Sequence, residues 1–233
     1  MTTAGIASMP SREDNLHVVI EALHPQLDSI WVWLNGFDAV PRWMLKYGKL
    51  HPVAGGDLDL SDAGKLAALP DVQGIFFACD DDLFYPSDYV QRTLEGIDRY
   101  EGNRIVGWGG GILKSPPIKS YYADGRTEKR HWAMDQAEDW PCNTLLTCLA
   151  AWPVELLPTF SSWACTTPKA VDIWLAIEAQ MMGVGMTLLA HRGDWIKHQD
   201  IDIGASIWGE LHDGKDQAQT DIINRFGQPF RVL

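Results

Sequence analysis

The sequence predicts an α/β domain of three layers, α/β/α, around a mostly parallel central sheet. Three observations carry the prediction. Short apolar runs of strand length alternate with stretches of helical periodicity through the first half of the chain. The links between them are short and rich in Gly, Pro, Asn and Asp. Acidic and polar residues gather just after the strand-like runs, where sheets of this kind bind their ligands.

Residues 2–8 read as the first strand. Pro10-Ser11 then opens a helix, with Ser11 as N-cap and Asp14 as the acid of a capping box. Leu16, Val19, Ile20, Leu23 and Leu27 keep helical spacing and mark its buried face. Ile30 to Leu34 is a second strand, stopped by Asn35-Gly36, with Asp38 in the loop and a short helix from Pro41. Residues 50–54 form a third strand, and Ser61 to Leu69 a short helix carrying Lys65. Residues 72–79 are a buried strand, followed by a helix over 87–101 marked by Val90, Leu94 and Ile97. Arg104 to Trp108 is a strand ended by Gly109-Gly110-Gly111.

The second half is less regular. Residues 114–145 are polar and read as a long hairpin or loop excursion, either closing over a substrate or simply solvated. Residues 145–152 read as buried. Pro168 precedes a helix over 169–182 that is apolar nearly all round and so packs inside. Met186 to Ala190 is a strand, and Gln217 to Phe226 a last helix before a frayed tail. No repeat or linker divides the chain, so 1–233 reads as a single domain.

The chain has 233 residues, enough for one large core. A net charge of −12 argues against a nucleic-acid groove, which needs clustered Lys and Arg. It does not argue against a nucleotide ligand. Most of the 11 Trp residues are expected in the core, and any exposed indole would suit a sugar ring. None of the four Cys residues forms a C-x-x-C pair, so free thiols in a reducing compartment are expected rather than a zinc site. The N-terminus lacks a basic n-region and an apolar core, and no run is long enough to span a bilayer. A cytoplasmic location follows, compatible with peripheral membrane association. The chain opens almost directly on its first strand, which suits one domain of a larger multidomain protein.

Cys79-Asp80-Asp81-Asp82 is the most informative segment. A buried strand delivers three adjacent carboxylates to a sheet edge, where they repel and lose solvation. A positive partner must offset that cost. A hard divalent cation such as Mn²⁺ or Mg²⁺ is the natural candidate. An Asp-rich solvated turn is the plain alternative.

Taken together, these pieces resemble the GT-A fold (Rossmann-like) nucleotide-sugar glycosyltransferases, most nearly the family 2-like bacterial enzymes. The resemblance rests on Ala7-Ser-Met-Pro-Ser-Arg12, Trp33-Leu-Asn-Gly-Phe-Asp38, Gly64-Lys65, Phe76 to Pro86 with its D-x-D-like triplet, and Val171-Asp172-Ile-Trp-Leu175. It implies a nucleotide-binding half over 1–112 and an acceptor-binding half over 113–233. By resemblance, Asp82 contacts the metal, Asp80 faces ribose or metal, and Asp81 orients the pair or takes over one role. Pro10, Arg12, Asp38 and Lys65 fall on nucleotide-contacting positions, and Asp172 on that of the general base. The late motif normally carries Glu-Asp, and here Val171 replaces the first acid. His191 and His198 follow the late strand, where a His completes the metal shell in some relatives; His191 is the one expected to do so. Lys114 and Lys119 are candidates to balance diphosphate or acceptor charge, and Trp108 or Trp174 to wall the sugar pocket.

The expected activity is metal-dependent, inverting, non-processive transfer of a sugar from a nucleoside-diphosphate sugar, with UDP favoured. The acceptor is a glycan or lipid-linked hydroxyl in bacterial glycan synthesis. The Q-x-x-R-W motif of processive members is absent. A nucleotidyltransferase would show a Gly-rich basic loop after the first strand, and this chain has Ser-Met-Pro-Ser-Arg there. A glycan- or nucleotide-binding module on a degenerate transferase fold is the non-enzymatic alternative.

Overall fold

In the computed structural model, which describes residues 1–200 and 206–233, the first half alternates strand and helix. It comprises β1 (Thr2–Ser8), α1 (Glu13–Leu23), β2 (Ser29–Leu34), β3 (Leu50–Ala54), β4 (Ile75–Cys79), β5 (Leu83–Phe84), α2 (Tyr89–Arg99), β6 (Arg104–Gly107) and β7 (Gly110–Leu113). The second half adds β8 (Arg126–Arg130), β9 (Trp140–Cys142), β10 (Thr144–Leu145), β11 (Leu149–Pro153), α3 (Val171–Met182) and β12 (Gly185–Leu188). It closes with β13 (Lys197–His198), α4 (Ile207–Leu211) and α5 (Gln217–Phe226).

The central sheet runs β3-β2-β1-β4-β11-β6-β12-β9. Only β11 and β9 oppose the common direction, so the sheet is mostly parallel, as expected. Residues alternate across it with the period of two that a strand imposes. Phe77, Val106 and Ala151 face the core under α1 and α2. Phe76, Ile105 and Ala150 face the opposite core, with α3 and α5. Each element buries apolar surface against the sheet; in α1 it is Leu16, Val19, Ile20 and Leu23. Burial of such side chains stabilises by about 1.5–3 kcal/mol each. The parallel strands present their carboxyl ends to one edge, and the acidic triplet follows β4 there.

Several boundaries differ from the sequence expectation. Ser11 lies inside a 3-10 turn, Pro10–Arg12, and α1 begins at Glu13 with no side-chain cap, because Pro10 starts the turn earlier. The stretch 61–69 is not an α-helix. It forms a 3-10 turn over Ser61–Leu66, and a second over Leu69–Asp71 contains Pro70, whose missing N–H cannot extend a helix. The acidic strand starts at Ile75 rather than Val72, after Gly74 turns the chain at φ +83°. Gly109-Gly110-Gly111 does not simply end a strand. β7 begins there and pairs with β8 and β10 in a small antiparallel sheet, which gives the 114–145 excursion its hairpin. β5, β9, β13 and α4 had no counterpart in the sequence reading. No described helix is long and apolar enough to cross a membrane.

One close approach ties the sheet to the cleft above it. A Cβ added at Gly5, in the middle of β1, would lie 1.9 Å from the Lys65 carbonyl oxygen and 2.6 Å from the Phe76 ring. Only glycine lets the turn bearing Lys65 seat on the strand. Gly5→Ala is expected to destabilise the fold by about 3 kcal/mol or more, since backbone cannot yield as a side chain can. Urea unfolding checks this, and an unchanged midpoint would contradict the packing.

Candidate active site

A cavity of about 680 Å³ opens at the carboxyl edge of the sheet and draws on both halves of the chain. Arg12, Lys65, Asp80 and Asp82 line it from the first half. Thr147, Asp172, His198 and a wall of Tyr121, Tyr122, Arg126, Lys129 and Trp132 line it from the second.

The triplet is arranged by two cations of the chain itself. Arg12 Nη1 donates to Asp81 Oδ1 at 2.9 Å and to Asp82 Oδ2 at 3.0 Å. Lys65 Nζ donates to Asp80 Oδ1. Asp81 turns inward, its side chain only 5% exposed, and does not line the cavity. Asp80 and Asp82, two residues apart, both do. Burial raises the Asp82 pKa, and the neighbouring Asp80 and Asp81 raise it further against the pull of Arg12. Burial also raises that of Asp81, with Arg12 opposing. Burial alone would lower the Lys65 pKa, but Asp80 and Asp62 outweigh it and hold the ammonium charged. The Asp80 backbone is fixed as well: its N–H donates to Tyr85 Oη at 2.9 Å, and Tyr85 donates to the Cys148 carbonyl at 2.9 Å.

The turn that delivers Lys65 is anchored by Asn35, at the end of β2. Asn35 Nδ2 donates to the Ser61 carbonyl at 3.0 Å, and its Oδ1 accepts from Leu60 N at 2.9 Å. Asp62 from the same turn accepts from Lys169 N at 2.8 Å and Val171 N at 3.2 Å, which docks it at the start of α3. Burial pushes the Asp62 carboxyl up to about 6, with Lys65 opposing. Neither role was visible in the sequence, because both are contacts between distant segments.

Asp172 stands in the first turn of α3. Its Oδ1 accepts from Thr147 N at 2.8 Å and Thr147 Oγ1 at 2.7 Å. Its Oδ2 has no hydrogen-bond partner among the described residues, and the side chain lines the cavity. Burial raises its pKa; the Thr147 bonds and Lys65 oppose that, and Asp80 adds to it. The result is a fixed carboxylate with one oxygen available and a basicity above the ordinary value.

His191 and His198 part company. His191 is buried, its Nδ1 2.7 Å from the Leu189 carbonyl and its ring edge-on to Trp108, outside this cavity. His191, expected to complete a metal shell, therefore does not line the cavity that holds the triplet. β12 ends at Leu188, and the bridge of His191 to Gln136 directs the chain away. The chain returns at β13, paired with β5, which sets His198 in the cavity beside the triplet. Gln199 N locks this return by donating to the Asp82 carbonyl at 2.8 Å.

Pro10 and Asp38 are exposed and do not line the cavity. Nor do Lys114, which pairs with Asp124 at 3.5 Å, Lys119 or Trp174. Trp108 is a core residue donating to Thr93 Oγ1 at 3.0 Å. The aromatic and basic wall went unassigned in the sequence, although 114–145 signalled it by composition.

The donor set bears on a metal. Among the described residues no three His, Cys, Asp or Glu side chains group to hold an ion on their own. Magnesium-type ions are commonly held by one or two carboxylates plus substrate phosphates. Asp80 and Asp82, both on the cavity wall, are the two carboxylates here that could share such an ion with a bound phosphate group.

No protein-family model matches the chain, and no curated protein matches it. Among solved structures, the chain is similar to S. aureus TarS 1-349, with a TM-score of 0.55 and 12% identity, over 97% of this chain and 70% of that one. At that identity the likeness shows the fold alone: a mixed α/β, GT-A-like domain.

Proposed function

We propose that this chain is a glycosyltransferase that moves a sugar from a nucleoside-diphosphate sugar to an acceptor hydroxyl. The observation that carries the reading is the meeting, in one cavity, of the Arg12- and Lys65-braced acids with the Asp172 carboxylate. The GT-A-like fold supports it. The diphosphate lies on the side of Arg12, Lys65, Asp80 and Asp82, and the acceptor on the side of Asp172. UDP is the favoured nucleotide.

In the reaction, the acceptor oxygen forms a bond to the anomeric carbon from the face opposite the leaving group. The bond from that carbon to the diphosphate oxygen breaks, and the nucleoside diphosphate leaves with the electron pair. The acceptor proton passes to Asp172 Oδ2, while Thr147 holds Oδ1 and so fixes the carboxylate's direction. The anomeric carbon gains oxocarbenium character, and nearby carboxylates stabilise it. Arg12 and Lys65 already stand beside the acids and hold positive charge near the departing diphosphate. A Mn²⁺ or Mg²⁺ ion held by Asp82 and Asp80, with His198 within the same cavity, would neutralise the leaving diphosphate. Burial keeps the His198 imidazole below its ordinary pKa, hence neutral and able to offer a lone pair.

A panel of UDP-, GDP- and CMP-linked sugars, each with Mn²⁺ and a mixture of simple glycosides, tests the reading. Release of free nucleotide from one donor, increased by acceptor, is the expected result. No release from any donor would oppose it.

A further inference from the structure

We infer that the acceptor is anionic, and that Arg126 and Lys129 bind an oxyanion on it, a phosphate ester or a carboxylate. The inference rests on the reading of Asp172 as the base that faces the acceptor.

Six Lys or Arg side chains line the cavity. Four of them have a carboxylate within 4.0 Å: Arg12, Lys65, Arg130 and Lys169. Arg126 and Lys129 have none among the described residues. In a chain of net charge −12, two cations without a carboxylate partner on one cavity wall are a place that favours an anion. Burial lowers the Lys129 pKa, and Arg126 lowers it further, so the two charges are close enough to repel. A shared anion would remove that repulsion.

Their proximity is built into the backbone. Residues three apart on a regular strand point to opposite faces. Here Lys129 pairs with Gly111 and Arg126 with Leu113, through an irregularity between Ile112 and Leu113. Gly111 and Leu113 share a face, so the bulge brings Arg126 and Lys129 to one side. The Arg126 guanidinium is steadied over the Tyr121 ring, 4.7 Å from its centroid. It makes no hydrogen bond among the described residues, and its Nε is buried without a partner. Lys129 Nζ donates to the Tyr122 carbonyl at 2.9 Å, which aims it along the same wall.

The pair sits on the acceptor side. Asp172 and Arg126 both act on the Tyr121 and Tyr122 hydroxyls. The cations acting most strongly on Asp81 and Asp82 are instead Arg12 and, for Asp82, Lys65. Asp172 thus feels Lys65 of the brace directly and shares the Tyr121–Tyr122 wall with Arg126. A planar guanidinium fork beside an ammonium point charge suits an oxyanion.

The test is calorimetric titration of the full chain, with and without UDP and Mn²⁺, using methyl glucoside, its 6-phosphate and methyl glucuronide. Wild type, R126Q and K129Q are compared. The phosphate, the glucuronide or both should bind at least about tenfold more tightly than the neutral glycoside, and either substitution should remove that advantage. The phosphate and glucuronide arms separate the two sources of the anion. UDP affinity should stay within about twofold in both variants, as the pair is placed away from the nucleotide. Lys129 is exposed, so K129Q keeps the test decisive if R126Q fails to fold. Equal affinity for neutral and anionic glycosides, or binding of none of them, would overturn the inference. Loss of UDP affinity in the variants would overturn it too, by assigning the pair to the donor. Absence of UDP binding with the anion preference intact would oppose the proposed function but leave the anion site standing.

Discussion

Asp172→Asn should lower kcat by about 10²–10⁴ while leaving nucleotide affinity unchanged, the cost of losing a positioned general base. The amide can still accept from Thr147, so the fold and the cavity wall should survive. Only the oxygen that takes the acceptor proton loses its basicity. The pH profile provides a second reading of the same group. The reaction needs Asp172 ionised, and burial holds its pKa above the ordinary carboxylate value. The acidic limb of kcat/KM should therefore lie above about pH 4. Thr147→Val removes a hydrogen bond that favours the charged form, so the limb should move upward by about one pH unit. A drop in rate with no movement of the limb would make Thr147 merely structural. A fully active Asp172→Asn enzyme would remove Asp172 from the chemistry.

Arg12→Ala should destabilise the protein by about 3 kcal/mol, because removing one partner of a buried ion pair leaves the other charge uncompensated. The side chain of Asp81 is only 5% exposed, and among the described residues Arg12 is the one cation bonded to it. The neighbouring bond to Asp82 reaches a carboxylate at the cavity wall, which water can partly rescue. Most of the loss should thus be traced to Asp81. Adding Asp81→Asn to Arg12→Ala should recover much of the lost stability, as measured by urea unfolding. A wild-type midpoint for Arg12→Ala, or no recovery in the double variant, would contradict the assignment. Arg12 would then be a surface residue near the acids rather than the brace that sets their geometry.

The parallel half of the sheet was legible because the short, nearly continuous buried runs of β1 and β4 and the alternation of β2 are local signals, and their ends carry turn residues. Helix existence was equally legible in α1, α2, α3 and α5. What could not be read was set by contacts between distant segments. The stretch 61–69 carries helical residues, yet a Cβ at Gly64 would come within 2.6 Å of the Trp33 ring, so the turn is pressed against β2. Burial there selects a tight 3-10 turn. The triplet was found from its clustered charge after a buried strand, and Arg12, Lys65 and Asp172 as candidates by resemblance; the structure gathers them in or at one cavity. The choice between His191 and His198 turned on the path after β12, which no local pattern records. The bulge in β8 was likewise invisible, since it depends on how Arg126 and Lys129 pair across to β7.

The proposed function requires the acids after β4 to form a nucleotide-diphosphate site. Calorimetric titration of UDP in Mn²⁺ and in EDTA, on wild type and Asp82→Ala, tests it most directly. Binding that requires Mn²⁺ and is lost in Asp82→Ala is the expected result. Absence of UDP, GDP and CMP binding under every condition would contradict it.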